Sequence, residues 1–335
     1  MFEKIAILGA GSWGMAVARL LHNNGLRVVL WEFDRKEYEK LVTLRGHPDK
    51  LKDFVLPDTV LVTNDLPEAV NSCRLIVSAV PSQSLREVMS RLREQIDNEV
   101  GVVNLAKGIE NGTLKRMSEV IIDELGTTHK SIATLSGPSH AEEVVLDMPT
   151  TVVAAGDDND FVCRVQEVFS SRFFRVYHSD DLTGVELGGS LKNIIAIGAG
   201  IADGLGMGDN TRGAIITRGL AEITRLGVAL GARAETFAGL SGIGDLVTTC
   251  TSRHSRNRFV GERIGQGKKL KEILAEMNMV AEGVETTRSG FGLANLHNVE
   301  MPITGEVYAV LFEGKSPSSA VEQLMGRELK AEIWR

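Results

Sequence analysis

The chain opens with short apolar runs that alternate with segments whose apolar residues recur at helical intervals. Residues 5–8 are four consecutive apolar residues that lead into Gly9, and residues 13–23 then carry apolar side chains at helical intervals. A second apolar run, residues 26–31, ends at Glu32. Short apolar runs on either side of an amphipathic helix are typical of two parallel strands joined by that helix. The start of the chain therefore predicts a β-α-β unit.

The same alternation continues to about residue 180 and then stops. Further strands are predicted at residues 60–62, 75–80, 100–105, 132–135, 151–155 and 174–178. Helices are predicted at residues 37–44, 66–72, 84–96, 114–125 and 162–169. Helical periodicity then dominates residues 182–326, and strand-like runs disappear. We therefore predict an α/β fold, in which an N-terminal Rossmann-type, doubly wound and mostly parallel sheet (residues 1–180) precedes an all-helical C-terminal domain (residues 181–335), with the boundary at residues 179–182.

Three glycines close the first predicted strand and open the first helix. Gly9 allows a tight turn, Gly11 lets the backbone approach a pyrophosphate, and Gly14 lets the helix lie close to the sheet. Free N–H groups at the start of a helix favour a phosphate there. Strand, glycine turn, helix, strand and acid follow in the order that a dinucleotide requires. We therefore predict that this loop binds a dinucleotide.

Composition narrows the class of protein. The 335 residues are enough for about two domains, and 43% hydrophobic with 24% charged residues is usual for a globular protein. The formal net charge of −7, without a dense Lys/Arg block, argues against nucleic-acid binding. The three cysteines lie far apart and the histidines lack paired spacing, so neither disulfides nor a metal site is predicted. Because a strand begins within four residues of Met1 and no apolar run reaches membrane-spanning length, we expect a cytoplasmic protein without signal peptide or membrane insertion.

Several polar residues follow predicted strands, at the edge of the sheet where doubly wound folds bind ligands. Lys107 follows one strand, and Gly137 and Ser139 follow another. We favour a site role for Lys107 over that of a solvated loop lysine. The turn at Gly137–Ser139 could hold a phosphate or simply join strand to helix. His140 and His254 border candidate sites, and structural roles are expected for both.

Lys192 lies in a stretch that is unusually rich in Gly, Ala and Ile, residues 184–208. Small residues at close spacing predict that helices pack tightly there. Burial would lower the pKa of Lys192 into the range of a general base. A lysine whose ammonium group reaches the surface is an equally good interpretation, and both alternatives stay open.

A basic patch follows later in the chain. Asp245 lies in a glycine-rich turn, and Arg253, Arg256 and Arg258 form the densest group of cations in the sequence. Arginine binds phosphate through two parallel hydrogen bonds, so this patch is the predicted anchor of an anionic substrate. The alternative is a solvated helix start with Ser255 as its N-cap.

Seven motifs occur in a fixed order over nearly the whole chain. They are GAGSWG at residues 9–14, AKG around Lys107, SGPSHA at 136–141, ELGGSLKN at 186–193, GxGDLxxTC at 242–250, SRN at 255–257 and VAEGVET at 280–286. Together they resemble the NAD(P)-dependent glycerol-3-phosphate dehydrogenases of the bacterial type. Seven motifs in order are much more specific than any one of them.

The resemblance implies an activity and a set of site residues. The reaction would be reversible hydride transfer between nicotinamide and C2 of glycerol 3-phosphate or dihydroxyacetone phosphate, which supplies glycerol 3-phosphate for phospholipid synthesis. Lys192 would be the catalytic proton acceptor for the C2 hydroxyl. The implied substrate-binding residues are Lys107, Gly137, Ser139, Lys192, Asp245, Ser255, Arg256 and Asn257, the phosphate lying on Arg256 and Asn257. The predicted cofactor-binding residues are Gly9, Gly11, Ser12, Trp13, Gly14, Phe33, Lys107, Ala141, Arg256, Val280 and Glu282.

Phe33 departs from the pattern of the family. Bacterial members often carry Arg or His at this position, which suits the 2′-phosphate of NADP(H). Here Phe33 lies between Glu32 and Asp34, and Arg35 is the nearest cation in the sequence. An aromatic ring could stack on adenine, while the acids favour a ribose 2′-hydroxyl. We therefore predict that NAD(H) is preferred and that NADP(H) is also accepted.

Two other functions use some of the same features. A related two-domain dehydrogenase of a phosphorylated or carboxylated hydroxy acid would share the fold and a similar lysine, but is not expected to carry the motifs at residues 242–245 and 255–257. A nucleotide-sensing regulator would have little need for Lys107 and Lys192 at one sheet edge. The apolar helical half could also form a homodimer surface.

Overall fold

The computed structural model describes residues 4–126, 131–329 and 331–332. Within these ranges, eight strands form one sheet in the order β3-β2-β1-β4-β5-β6-β7-β8. The strands are β1 (Lys4–Leu8), β2 (Arg27–Trp31), β3 (Leu61–Thr63), β4 (Leu75–Ser78), β5 (Gly101–Asn104), β6 (Ile132–Ser136), β7 (Thr150–Ala155) and β8 (Phe174–Ser179). Neighbouring strands are parallel except β6 and β7.

Helices connect the strands and then build the second half of the described chain. The first half contains α1 (Ser12–Asn23), α2 (Arg35–Leu44), α3 (Leu66–Val70), α4 (Leu85–Leu92), α5 (Met117–Leu125), α6 (Ala141–Val144) and α7 (Asn159–Phe169). The second half contains α8 (Leu182–Gly204), α9 (Asp209–Ala229), α10 (Ala234–Phe237), α11 (Asp245–Thr251), α12 (Arg256–Gly265), α13 (Leu270–Glu276), α14 (Glu282–Leu296), α15 (Pro302–Phe312) and α16 (Pro317–Met325). A π-type turn, Leu240–Gly244, leads into α11.

The predicted fold class is confirmed, and the differences lie at helix ends. The helix predicted at residues 114–125 begins only at Met117, because Leu114 has a φ of 60° and Arg116 is extended. The helix predicted at residues 84–96 ends at Leu92, after which the backbone forms a turn. The short helix α6 was not predicted.

The antiparallel pairing of β6 and β7 breaks the otherwise parallel sheet. The two strands are joined by residues 137–149, which contain only the four-residue helix α6. The chain turns back at the end of β6, and β7 runs beside it in the opposite direction.

Apolar clusters cover both faces of the sheet. Ile5 and Ile7 of β1 face the cluster that contains α1 and α7, while Ala6 and Leu8 face the cluster that contains α3, α4 and α5. This alternation is the two-residue period of a strand, and burial on both faces explains why the strands read as continuous apolar runs. A further cluster surrounds α8 in the helical half.

The last strand ends at Ser179 and the long helix α8 begins at Leu182. The predicted boundary lies between these two elements. The division of the chain into two domains there stays a prediction.

Helix α8 is the centre of the helical half. By length and composition it could cross a membrane, so the expectation that no apolar run is long enough was wrong for this segment. However, 94% of its most apolar window is buried within the protein, because other helices pack around it. It is thus placed as a core helix.

Glycines bring α8 and α12 into backbone contact. A Cβ atom at Gly200 would lie 2.0 Å from the carbonyl oxygen of Arg258, and one at Gly261 would lie 2.0 Å from that of Ile197. Neither position can therefore accept a side chain without separating the helices. The tight packing predicted from the small residues of 184–208 is confirmed here.

Candidate active site

A cleft of about 550 Å³ lies beyond the carboxyl ends of the parallel strands. Its walls come from the glycine turn after β1, the ends of β2, β4 and β5, and the helices of the second half. The predicted site residues that line it are Gly9, Gly11, Ser12, Trp13, Phe33, Lys107, Ser139, Ala141, Lys192, Ser255, Arg256, Asn257, Val280 and Glu282. Gly14, Gly137 and Asp245 are not part of its lining. The site residues proposed from distant parts of the sequence thus meet around one cavity.

The glycine turn has the shape that a pyrophosphate requires. Gly9 has a φ of 102°, which favours glycine, and a Cβ atom there would lie 2.9 Å from the carbonyl oxygen of Ala79. A Cβ atom at Gly14 would lie 1.9 Å from the carbonyl oxygen of Gly9. At Gly11, by contrast, a Cβ atom would meet nothing within 4 Å. No side chain of the described residues caps the first turn of α1, so its N–H groups can bind a phosphate.

Ser12 ties this turn to its surroundings. Its hydroxyl donates to the carbonyl oxygen of Lys50 at 2.6 Å and lies 3.1 Å from the sulfur atom of Met279. Met279 belongs to the loop before α14, so the helical half reaches over the glycine turn. Trp13 forms the neighbouring wall and packs against Phe174.

Two lysines share one carboxylate at the inner end of the cleft. The Nζ of Lys192 donates to Oδ1 of Asp245 and to Oγ1 of Thr249, both at 2.5 Å. The Nζ of Lys107 donates to Oδ2 of Asp245 at 2.7 Å and to the carbonyl oxygen of Gly137 at 2.9 Å. Lys192 and Asp245 are only 5% and 2% exposed. The buried alternative for Lys192 is therefore confirmed.

Burial and the neighbouring charges together shift the pKa values of Lys192 and Asp245. Burial lowers the pKa of Lys192 to about 8; Asp245 opposes the shift and Lys107 adds to it. Burial alone would raise the pKa of Asp245, but the two lysines lower it below its ordinary value. At neutral pH the carboxylate is thus ionised, and Lys192 lies within about one pH unit of losing its proton.

The local sequence explains how the cluster is assembled. Lys192 lies within the buried helix α8, while Asp245 begins α11 just after the π-type turn. Thr249 is one turn further along α11 and faces the same side as Asp245. The sequence analysis missed Thr249, although its spacing of four residues from Asp245 was a usable signal. It also missed Asn193, whose amide donates to the carbonyl oxygen of Lys107 at 3.2 Å.

The start of α12 forms the predicted phosphate end of the cleft. Ser255 caps the helix by accepting a hydrogen bond from the backbone N–H of Arg258 at 3.2 Å. Arg256 is exposed to the cleft and donates to the carbonyl oxygen of Val280 at 2.8 Å. The side-chain oxygen of Asn257 accepts from the backbone N–H of Gly283 at 2.9 Å.

The predicted basic patch of three arginines is wrong as a single anchor. Arg258 turns away from the cleft and pairs with Asp203 at 2.8 Å. Arg253 is exposed and does not line the cleft. Arg253 precedes α12, and Arg258 lies two residues after Arg256 on that helix and so points in another direction; of the three, Arg256 faces the cavity.

Glu282 links the two halves at the mouth of the cleft. Its carboxylate accepts from the backbone N–H of Ser82 at 3.0 Å and from the Ser82 hydroxyl. Burial raises the pKa of Glu282, against the effect of these hydrogen bonds. A Cβ atom at Gly108 would lie 2.3 Å from the hydroxyl oxygen of Ser82 and 3.5 Å from a carboxylate oxygen of Glu282, so these three residues pack closely.

The far end of the cleft lies at the end of β2. Phe33 is 60% exposed there, and Glu32 lines the cleft beside it. Asp34 caps α2 by accepting from two backbone N–H groups. Arg35, the cation considered from the sequence, pairs with Glu39 at 3.2 Å and is absent from the cleft lining.

Two histidines line the cleft near the lysines. The ring centroids of His140 and His254 lie 5.8 Å apart. Burial, with the charges of Lys192 and Lys107, lowers the pKa of His140 to about 4. His140 is therefore neutral at physiological pH.

Comparison with known proteins accounts for both halves of this arrangement. A model of the NAD-dependent glycerol-3-phosphate dehydrogenase N-terminus matches residues 4–162, and a model of the C-terminus of the same enzymes matches residues 181–322. The chain belongs to the NAD-dependent glycerol-3-phosphate dehydrogenase family.

Individual members of the family are similar over their full length. A glycerol-3-phosphate dehydrogenase [NAD(P)+] of Thermoanaerobacter sp. (strain X514) is 53% identical over 98% of this chain and 99% of its own. One from Chlorobium limicola is 51% identical over 98% and 99%. The crystal structure of glycerol-3-phosphate dehydrogenase from Coxiella burnetii is 39% identical, with a TM-score of 0.93 over 97% of this chain and 99% of its own.

Family membership confirms the resemblance inferred from the seven motifs. It does not favour a related dehydrogenase of another hydroxy acid, because the models for both halves and the full-length relatives name the same enzyme. The roles of the individual site residues stay predictions.

Proposed function

We propose that the protein is an NAD(P)-dependent glycerol-3-phosphate dehydrogenase. It interconverts glycerol 3-phosphate and dihydroxyacetone phosphate by hydride transfer at C2, and supplies glycerol 3-phosphate for phospholipid synthesis. The observation that carries this proposal is the buried Lys192 beside Asp245 at the inner end of a cleft that the glycine turn after β1 also lines. Membership in the family supports the same conclusion.

Lys192 is the proposed proton acceptor. The bound nicotinamide supplies or receives the hydride. In the oxidative direction, neutral Lys192 takes the proton of the C2 hydroxyl; in the reductive direction, protonated Lys192 gives it to the ketone oxygen. A pKa of about 8 suits both directions, since neither form is rare near neutral pH. Asp245 and Thr249 hold its Nζ in place, and Lys107 adds positive charge where negative charge develops on the substrate oxygen.

The rest of the substrate is assigned to the surrounding residues. Ser255, Arg256 and Asn257 begin α12, where free N–H groups and a guanidinium favour the phosphate. Ser139 lines the cleft between this position and the lysines, with its hydroxyl 3.0 Å from the carbonyl oxygen of Gly137. Asp245 acts through the two lysines, since its oxygens are bonded to them.

The dinucleotide is assigned to the outer part of the cleft. Gly9, Gly11, Ser12 and Trp13 would hold its pyrophosphate, and Gly14 would let α1 lie close to the turn. The nicotinamide would be held by Ala141, Val280, Glu282, Arg256 and Lys107, and the adenosine by Phe33. NAD(H) is the preferred form and NADP(H) is also accepted.

The proposal is tested by adding dihydroxyacetone phosphate to the enzyme with NADH and following the loss of reduced nicotinamide. We expect turnover, and we expect Lys192→Ala to lower kcat by a factor of about 10² or more while the dissociation constant for NADH changes little. Lys268→Ala is the matched control, because Lys268 pairs with Glu276 outside the cleft. Turnover of a 2-oxo acid without turnover of dihydroxyacetone phosphate would overturn the assignment.

The proposal also covers the domain boundary, the oligomeric state and the cellular location of the protein. The boundary at residues 179–182 divides a dinucleotide-binding domain (1–180) from a substrate domain (181–335), and separate apolar clusters support it. The helical half carries exposed apolar side chains at Val228, Leu296 and Met325, which suits a homodimer. The protein works in the cytoplasm, where a small phosphorylated substrate and a dinucleotide are both available.

A further inference from the structure

An arginine from a distant helix lies against the adenosine end of the cleft. The guanidinium carbon of Arg91, on α4, is 5.5 Å from the centre of the Trp31 ring and 5.7 Å from that of Phe33. The two rings are themselves in edge contact, with centroids 6.0 Å apart. Glu87 and Val88, one turn earlier on α4, line the cleft. Arg91 is not itself part of the lining, but its guanidinium packs against two side chains that are, Trp31 and Phe33, and so lies next to the cleft.

The charge of Arg91 is not neutralised by the protein. Among the described residues no carboxylate forms an ion pair with its guanidinium, which instead lies over the rings of Trp31 and Phe33. Arg35, the arginine closest to the end of β2 in the sequence, is by contrast paired with Glu39. A guanidinium that lies over aromatic rings keeps its in-plane N–H groups free to bind phosphate oxygens.

The acids at the end of β2 are partly engaged elsewhere. The carboxylate of Asp34 accepts hydrogen bonds from the backbone N–H groups of Lys36 and Glu37 at the start of α2. Glu32 accepts a hydrogen bond from the backbone N–H of Asp34 at 3.0 Å and still lines the cleft. The adenosine end thus has two acids in its lining, Glu32 and Glu87, of which Glu32 follows β2 and suits a ribose 2′-hydroxyl, and one unpaired cation beside it, Arg91, that suits a 2′-phosphate.

We propose that Arg91 binds the 2′-phosphate of NADP(H) and so determines that this enzyme accepts both dinucleotides. This inference rests on the proposed dinucleotide-dependent function and assigns its cofactor selectivity. Glu32 and Arg91 act in opposite senses: Glu32 favours NAD(H), and Arg91 offsets its repulsion of the additional phosphate. Sequence inspection around Phe33 missed this cation because Arg91 comes from another helix.

Steady-state kinetics with each dinucleotide test the proposal. We expect Arg91→Ala to raise KM for NADPH by about ten- to a hundredfold, which corresponds to the loss of a charge-assisted hydrogen-bond pair. KM for NADH should change by less than about threefold, and kcat with NADH should be preserved. Arg91→Lys should restore part of the NADPH affinity, since it keeps the charge. Arg93→Ala, an exposed arginine two residues further along, is the matched control and should change neither KM.

A binding measurement isolates the adenosine end from catalysis. Titration calorimetry with adenosine 2′,5′-bisphosphate and with ADP should show that Arg91→Ala weakens only the first ligand. Glu32→Gln should shift selectivity the other way, towards NADPH. Equal loss of both ligands would overturn the proposal and reduce Arg91 to a support of Phe33, and unchanged NADPH kinetics would overturn it as well. Because turnover of dihydroxyacetone phosphate with NADH is measured in the same variants, failure of this inference is distinguishable from failure of the proposed function.

Discussion

Removing the charge of Asp245 should shift the pH dependence of the reaction to lower pH. Asp245→Asn keeps the size of the side chain and deletes the negative charge that faces Lys192 at 2.5 Å. Opposite unit charges about 4 Å apart interact by about 4 kcal/mol at an effective dielectric constant of about 20, which corresponds to about three pKa units. Starting from about 8 in the wild type, the pKa of Lys192 should therefore fall by one to three units.

The assay is kcat for oxidation of glycerol 3-phosphate with saturating NAD+ across the pH range. Lys192 must be neutral to accept the proton, so the wild-type rate should rise with pH to a plateau above about 8. The plateau of Asp245→Asn, although lower, should be reached at more acidic pH. Thr249→Val is the control: it removes an uncharged partner of Lys192 and should move the midpoint by less than about one unit. A midpoint that stays in place or moves to higher pH in Asp245→Asn would refute the assignment of Lys192 as the base.

Three further predictions address other parts of the molecule. Arg256→Ala should raise KM for dihydroxyacetone phosphate by about ten- to a hundredfold with little change in kcat, because a charge-assisted contact to phosphate is lost; an unchanged KM would move the phosphate anchor elsewhere. Gly11→Ala should keep the melting temperature and weaken NADH binding, whereas Gly14→Ala should lower both, since only the second Cβ atom meets backbone, at 1.9 Å; equal melting temperatures would contradict the packing argument. Glu222 accepts from the backbone N–H of Ile303 at 2.6 Å, and burial raises its pKa from 4.5 to about 7, so the folded state holds an extra proton between these values. Stability should therefore fall by about 3 kcal/mol as pH rises from about 4.5 to 7 and then level off. Denaturant unfolding of Glu222→Gln should show a smaller fall over this range, and an identical fall would show that other groups cause it.

The sheet could be predicted because each strand is buried on both faces. Runs such as residues 5–8 and 75–80 read as strands without any tertiary information. The direction of β7 could not be predicted in the same way, because an apolar run does not show whether the strand runs parallel or antiparallel to its neighbour. The structure shows it antiparallel to β6, across a connection whose one short helix, α6, lies in a stretch with no clear helical period.

Candidate site residues could be proposed from the sequence where the residue type and its neighbours suggest a chemical role. They could not be proposed where only the three-dimensional arrangement brings a side chain to the cleft. Lys192 in an apolar stretch was a candidate at once, but its alternatives were resolved only by the carboxylate that Asp245 brings from another helix. The three arginines near Ser255 looked equivalent in the sequence, but Arg253 lies before α12, and the rotation of the helix turns Arg258 away from the side of Arg256. Arg91 lay outside any local window around Phe33, so no reading of neighbouring residues could find it.

The glycine contact between α8 and α12 makes the backbone a ruler for the substrate. Lys192 lies eight residues before Gly200, about 12 Å along α8, and Arg256 lies five residues before Gly261 on α12. The distance between the proposed proton acceptor and the proposed phosphate-binding residue is therefore set where two main chains touch, outside the cleft. A larger residue at either glycine would lengthen that span without altering a residue that contacts substrate. Selection for phosphorylated alcohols of a different chain length could act on this contact before it acts on the cleft.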